Sequence, residues 1–185
     1  MIKILGISGS LRDKSYNTAL LMAAVALQPA GSQIEVASIK GIPLYDGDLE
    51  LSEGIPAAVT ALKTRIVAAD ALLLVTPEYN NSIPGVFKNA IDWLTRPPSD
   101  VKKVWANRPI AVIGASPGGF GTILSQQAWL PVLRTLGTRP WFGGRLQVSH
   151  ADKVFDASGA LSDDGVKTQL SDFLRGFNEF IGTNK

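Results

Sequence analysis

Three short segments carry the side chains able to do chemistry. The first, Ser8-Gly9-Ser10-Leu11-Arg12-Asp13-Lys14-Ser15-Tyr16-Asn17, places three serine hydroxyls, a glycine and an arginine directly before a helical pattern. Free amides and the dipole at a helix start favour an anion, and a guanidinium can hold two oxygens at once. The segment reads as a phosphate cradle. On composition alone it is equally a polar strand–helix turn capped by Asn17. It is neither a Walker A loop nor GxGxxG, so those nucleotide fingerprints are absent.

The second segment, Thr76-Pro77-Glu78-Tyr79-Asn80-Asn81-Ser82-Ile83-Pro84-Gly85, offers an aromatic face, two side-chain amides and rigid prolines. Those features suit a planar heterocycle, which needs a stacking surface and fixed hydrogen-bond partners at its rim. The third, Gly114-Ala115-Ser116-Pro117-Gly118-Gly119-Phe120-Gly121, contains a formal GxSxG. That makes a serine hydrolase using Ser116 the natural rival. Two objections stand against it. The elbow's oxyanion hole uses the amide hydrogen of the residue after the serine, and Pro117 has none. The usual order also needs an acid between serine and histidine, and residues 117–149 contain no Asp or Glu. The glycines are better read as letting backbone approach a ligand closely.

The chain has no cysteine and one histidine, His150. Disulfides, thiol catalysis, iron–sulfur clusters and thiolate zinc sites are excluded, and no metal is expected. His150 reads as a surface or helix-end residue. Glu78 and Asp92 form no evident acid–base pair, and Asp92 sits in a helical stretch where packing and capping account for it. Hydride chemistry remains open to such a site, because a flavin supplies the reactive atom itself.

These segments need a scaffold. The 185 residues are 45% hydrophobic with a net charge of +2, which suits one domain over 1–185 and rules out intrinsic disorder. No apolar run approaches a membrane span, and the N-terminal run is broken by Lys3 too early for a signal peptide. A cytoplasmic protein with no membrane partner is expected. The pI of 8.9 comes without a basic run, so no nucleic-acid partner is expected either.

Ile2–Ile7, Ile34–Ile39, Ala71–Thr76, Ile110–Ala115 and Leu146–Val148 read as strands. Between and after them, Asn17–Leu27, Pro56–Ala69, Pro84–Leu94, about 122–136 and roughly 166–181 have helical spacing. Pro131 should kink the fourth helix or end its regular part. Strict alternation predicts an α/β fold in three layers: a doubly wound, five-stranded parallel sheet of strand order 2-1-3-4-5, the flavodoxin-like arrangement. Ligands in such sheets bind outside the carboxyl ends of the strands, where the three segments fall.

Gly9-Ser10-Leu11-Arg12-x-x-Ser15-x-Asn17, Thr76-Pro77-Glu78-Tyr79-Asn80 and Pro84-Gly85-x-x-Lys88-Asn89-Ala90-Ile91-Asp92-Trp93 occur in that order. In these motifs the chain resembles the NAD(P)H-dependent FMN reductase family, in its quinone- and chromate-reductase branch. The likeness runs over nearly the whole chain. It implies that Ser10, Arg12, Ser15, Tyr16 and Asn17 hold the FMN phosphate. Pro77, Glu78, Tyr79 and Asn80 would line the isoalloxazine and ribityl, with Ser116, Gly118 and Gly119 on the other side. It further implies hydride transfer from NADH or NADPH to FMN, and then to a quinone, chromate or another electrophile. A homodimer or homotetramer is implied as well, although Gly121–Gln127 replaces a Gly-Gly-Ala-Arg stretch that relatives use in subunit contacts. The alternative is a one-electron FMN carrier, against which the near-neutral charge weighs, since carriers steer partners with acidic faces. Trp93, Trp105 and Trp129 are candidates for either core or interface.

Overall fold

In the computed structural model, which describes residues 1–183, the apolar runs become parallel strands β1 (Ile2–Ser8), β2 (Ser32–Ser38), β3 (Ala71–Val75) and β4 (Pro109–Ala115). Two short strands, β5 (Arg139–Pro140) and β6 (Gln147–Val148), both pair in parallel with β4. The order β2-β1-β3-β4-β5 is the flavodoxin-like one. The fifth position differs from expectation in being shared by two segments. Between them the chain leaves the ladder so that Trp141 can pack against Phe173 and Phe177, at ring-centroid separations of 4.8 and 5.7 Å.

Helices α1 (Tyr16–Ala26), α2 (Gly47–Glu53), α3 (Ala57–Ala68), α4 (Gly85–Trp93), α5 (Val101–Trp105), α6 (Ile123–Thr135), α7 (Ala151–Val154) and α8 (Asp164–Gly182) complete the chain. The short helices α2, α5 and α7 have too few turns to show a period, and the sequence pattern does not predict them. Helix α6 continues through Pro131, which is exposed, so the backbone bond it cannot make lies on the solvent side.

Strand alternation builds two cores. Ile4, Leu73, Val75 and Ile113 face Leu20 and Leu21 of α1 and Phe173, Leu174 and Phe177 of α8. Leu5, Ile7, Leu72, Leu74 and Ile110 face Leu62, Phe87, Trp105 and Trp129 on the opposite side. Trp93, Trp105 and Trp129 are fully buried, so all three belong to the core. Burying each large apolar side chain stabilises the sheet by about 1.5–3 kcal/mol.

Ion pairs fasten the connections. Glu50 of α2 accepts from Arg96 Nε at 2.8 Å and from the Tyr45 hydroxyl at 3.0 Å. The Arg96 hydrogen bond holds the Glu50 carboxyl below the usual carboxylate range. Lys63 joins Asp100 at 2.8 Å. Among the described residues, no helix is long and apolar enough to cross a membrane, and no group of three or more His, Cys, Asp or Glu could hold a metal ion.

Candidate cofactor site

The register brings three strand ends to one edge. Ser8 lies opposite Val75, and Val75 lies opposite Ile113. The ladder then runs one step past the strands, with Gly9 N–H donating to Val75 O, Thr76 N–H to Ile113 O and Ser116 N–H to Val148 O, each at 2.8–2.9 Å. The loops that follow therefore leave the sheet side by side. Ser10, Arg12, Ser15, Tyr16, Asn17, Pro77, Glu78, Tyr79 and Ser116 line one cleft, together with Ala115 and Pro117. Asn80, Gly118 and Gly119 sit on the same loops but not among the lining residues.

The first loop is built around close packing. A Cβ on Gly9 would overlap the Phe87 ring, so only glycine lets the chain pass there. Ser10 and Ser15 are buried. The backbone N–H groups of Asp13, Lys14, Ser15 and Tyr16 donate no hydrogen bond to the described chain. The Arg12 guanidinium is exposed, and its side chain makes no hydrogen bond or ion pair among the described residues. Unengaged amides beside an unpaired guanidinium and two hydroxyls fit a phosphate monoester.

The cap of α1 differs from expectation. Ser15, not Asn17, caps α1, accepting from the Asn17 and Thr18 N–H groups at 3.2 and 3.3 Å. Asn17 lies inside the first turn, where its side chain grips the end of β4. Its Nδ2 donates to Ala115 O and its Oδ1 accepts from Ala115 N, both at 2.9 Å. That double bond across the sheet ties the first loop to the third.

In the second loop, Tyr79 and Ser82 exchange backbone hydrogen bonds at 3.1–3.2 Å around Asn80 and Asn81, with φ of 50° and 62°. Asparagine tolerates the left-handed region, so Asn80 is a turn former that leaves Tyr79 exposed beside the cleft. Glu78 lines the cleft, and its carboxylate accepts from the Leu124 and Ser125 N–H groups, both at 2.9 Å. Free amides at the start of α6 hold a carboxylate better than the open cleft does.

In the third loop, Ser116 Oγ accepts from Gly118 N–H at 3.1 Å. Helix α6 does not begin until Ile123, so the sharp strand-to-helix turn of a nucleophile elbow is missing. His150 has a left-handed backbone, φ 48°, and its N–H donates to Gly118 O at 3.2 Å.

Several residues of the quoted motifs have a supporting role that the sequence does not reveal. Asn89 donates to Pro43 O and accepts from Tyr45 N–H, both at 2.8 Å, while Trp93 Nε1 donates to the same Pro43 oxygen at 2.9 Å. They anchor the loop after β2, a contact that the motif holding Asn89 and Trp93 does not itself disclose. Thr76 and Ser125 share a buried hydroxyl hydrogen bond at 2.9 Å. A Cβ on Gly114 would overlap Thr76 O and Thr122 Oγ1, so this glycine lets α6 approach β3 closely.

An open parallel sheet of this strand order, with three loops lining one cleft at its carboxyl edge, defines a flavodoxin-like protein. Residues 2–153 match the model of the NADPH-dependent FMN reductase family. The chain is 44% identical over 180 residues to an NAD(P)H-dependent FMN reductase of Pseudomonas aeruginosa, covering 97% of this chain and 95% of that one. It is 36% identical to a 2-hydroxy-1,4-benzoquinone reductase of a Burkholderia species, covering 94% and 92%. The solved structure of FerB, a flavoenzyme NAD(P)H:(acceptor) oxidoreductase from Paracoccus denitrificans, matches with a TM-score of 0.87 and 33% identity over 99% and 98% of the two chains. The protein belongs to the NADPH-dependent FMN reductase family, and is an FMN-dependent oxidoreductase that draws on NAD(P)H.

Proposed function

We propose that the protein reduces quinone-type acceptors with NADH or NADPH, through an FMN held in the cleft at the carboxyl edge of the sheet. The convergence of the three loops on one cleft is the observation that carries this reading. Ser10, Arg12, Ser15 and the free amides of 13–16 hold the phosphate, with Tyr16 beside them and Asn17 bracing the wall. Pro77, Tyr79 and the backbone of Glu78 border the ring and ribityl on one side, with the turn at Asn80. Ser116, Gly118 and Gly119 form the opposite side. Bound there, FMN supplies the hydride-accepting and hydride-donating atom. The chain's own contribution is to orient the ring and leave one face open. The benzoquinone reductase of Burkholderia supports the acceptor class.

A second copy of the chain completes the pocket. Tyr79, Phe120, Ile123 and Leu124 flank or follow the cleft loops and are 44%, 82%, 43% and 38% exposed. Aromatic and large apolar side chains of this kind are favoured at interface centres. With one open ring face, nicotinamide and acceptor use it in turn. Initial rates against both substrates are expected to give parallel lines, the pattern of alternating half-reactions. Intersecting lines would mean that both substrates occupy the site together. A fully active monomer in light scattering at assay concentration would defeat the shared pocket.

Ser116 touches the cofactor and is not a nucleophile. Ser116→Ala is expected to retain measurable NAD(P)H oxidation, and the wild type to hydrolyse no activated ester above background. Covalent labelling of Ser116 by a serine-directed phosphonate would restore the hydrolase alternative.

A further inference from the structure

We infer that Glu78 is a positioning residue that joins two walls of the cofactor cleft through the reach of its carboxylate, resting on the site reading above. Its Oε2 lies 2.9 Å from both Leu124 N and Ser125 N, in the first turn of α6. The helix has no cap of its own there. Thr122 precedes it but makes no side-chain cap bond, and its Oγ1 instead accepts from Gln126 Nε2 at 3.0 Å. The cap thus comes from another loop, 46 residues earlier in the chain. Thr76 adds a second tie to the same turn through Ser125 Oγ and bonds Pro77 O at 2.9 Å.

The consequence concerns the third loop. Residues 116–122 run from β4 to the start of α6, so fixing that start fixes one end of the loop carrying Ser116, Gly118 and Gly119. Asn17 fixes the other end at Ala115. The second and third loops therefore move as one body, held at the spacing the ring requires. Small displacements of groups that orient a reacting centre cost large factors in rate. Glu78 acts through α6 and does not meet the reacting atoms.

Length and charge can be separated at this position. Glu78→Gln keeps the reach and one accepting oxygen while losing the charge that favours a helix start, a loss of about two- to fivefold in FMN affinity. Glu78→Asp keeps the charge but is one methylene short of the α6 amides. It is expected to weaken FMN at least tenfold and to lower kcat more than it raises KM for NAD(P)H. In flavin-free protein, exchange of the Leu124 and Ser125 amide hydrogens is expected to be at least tenfold faster in Glu78→Asp and little changed in Glu78→Gln. The reverse ranking, with Asp retaining binding and Gln losing it, would show a charge role and overturn the inference. Equal protection of the two amides in all three proteins would overturn it too. The exchange measurement needs no cofactor and reads the clamp even in a variant too weak to hold FMN. Failure of the wild type to bind FMN would sink the proposed site while leaving that result intact.

Discussion

Arg12→Ala is expected to raise the FMN dissociation constant by roughly 10- to 150-fold, the cost of removing a charge-assisted hydrogen bond worth about 1.5–3 kcal/mol. The guanidinium stands beside the cleft with no internal partner among the described residues, so its removal leaves no buried charge behind and exposes no new cavity. Folding stability should accordingly stay within about 0.5 kcal/mol of the wild type, as for surface positions in general. Riboflavin, which lacks the phosphate, should bind the wild type much more weakly than FMN does. It should also respond little to Arg12→Ala, because it has no phosphate for the guanidinium to hold. Flavin fluorescence titration reads all four combinations. Equal affinity of the wild type for FMN and riboflavin would remove the phosphate from the cradle.

Trp129→Ala produces the opposite pattern, a large loss of stability with a secondary effect on the cofactor. The indole is fully buried and meets Phe87 edge-on at a centroid separation of 4.9 Å. Truncating a buried tryptophan costs about 3–5 kcal/mol in transfer energy and residual cavity. Its Nε1 has no hydrogen-bond partner among the described residues, so Trp129→Phe reduces volume without breaking a bond there and should cost clearly less. Phe87 fills the space beneath Gly9, and removing its support should also loosen the cradle. Urea unfolding checks this as a fall in midpoint at constant m-value. An alanine variant within about 1 kcal/mol of the wild type would mean that the layer between α4 and α6 repacks without leaving a cavity.

The sheet and its edge are legible in the sequence because both follow from short-range pattern. Short continuous apolar runs such as Ala71–Val75, bounded by polar and proline-rich segments, suit a strand covered on both faces, and alternation with helical spacing leaves few topologies. The cradle is legible as far as serine, glycine and arginine before a helix can be read along the chain. The split fifth position is not, because β5 and β6 are two residues each and owe their place to Trp141 packing on α8.

The division of labour among polar residues was decided by tertiary structure alone. By itself the sequence determined the four long strands, where the glycines and Arg12 fall, and that no thiol chemistry is open to the chain. It could not say which polar side chains face a ligand and which hold the loops together. Asn17 and Glu78 stand in the motifs most suggestive of cofactor binding, yet each spends its hydrogen bonds on the backbone of a segment remote in sequence, Ala115 in one case and the start of α6 in the other. An amide or a carboxylate takes whichever donors the fold brings within about 3 Å, and those donors are set by strand register and helix placement rather than by neighbouring residues.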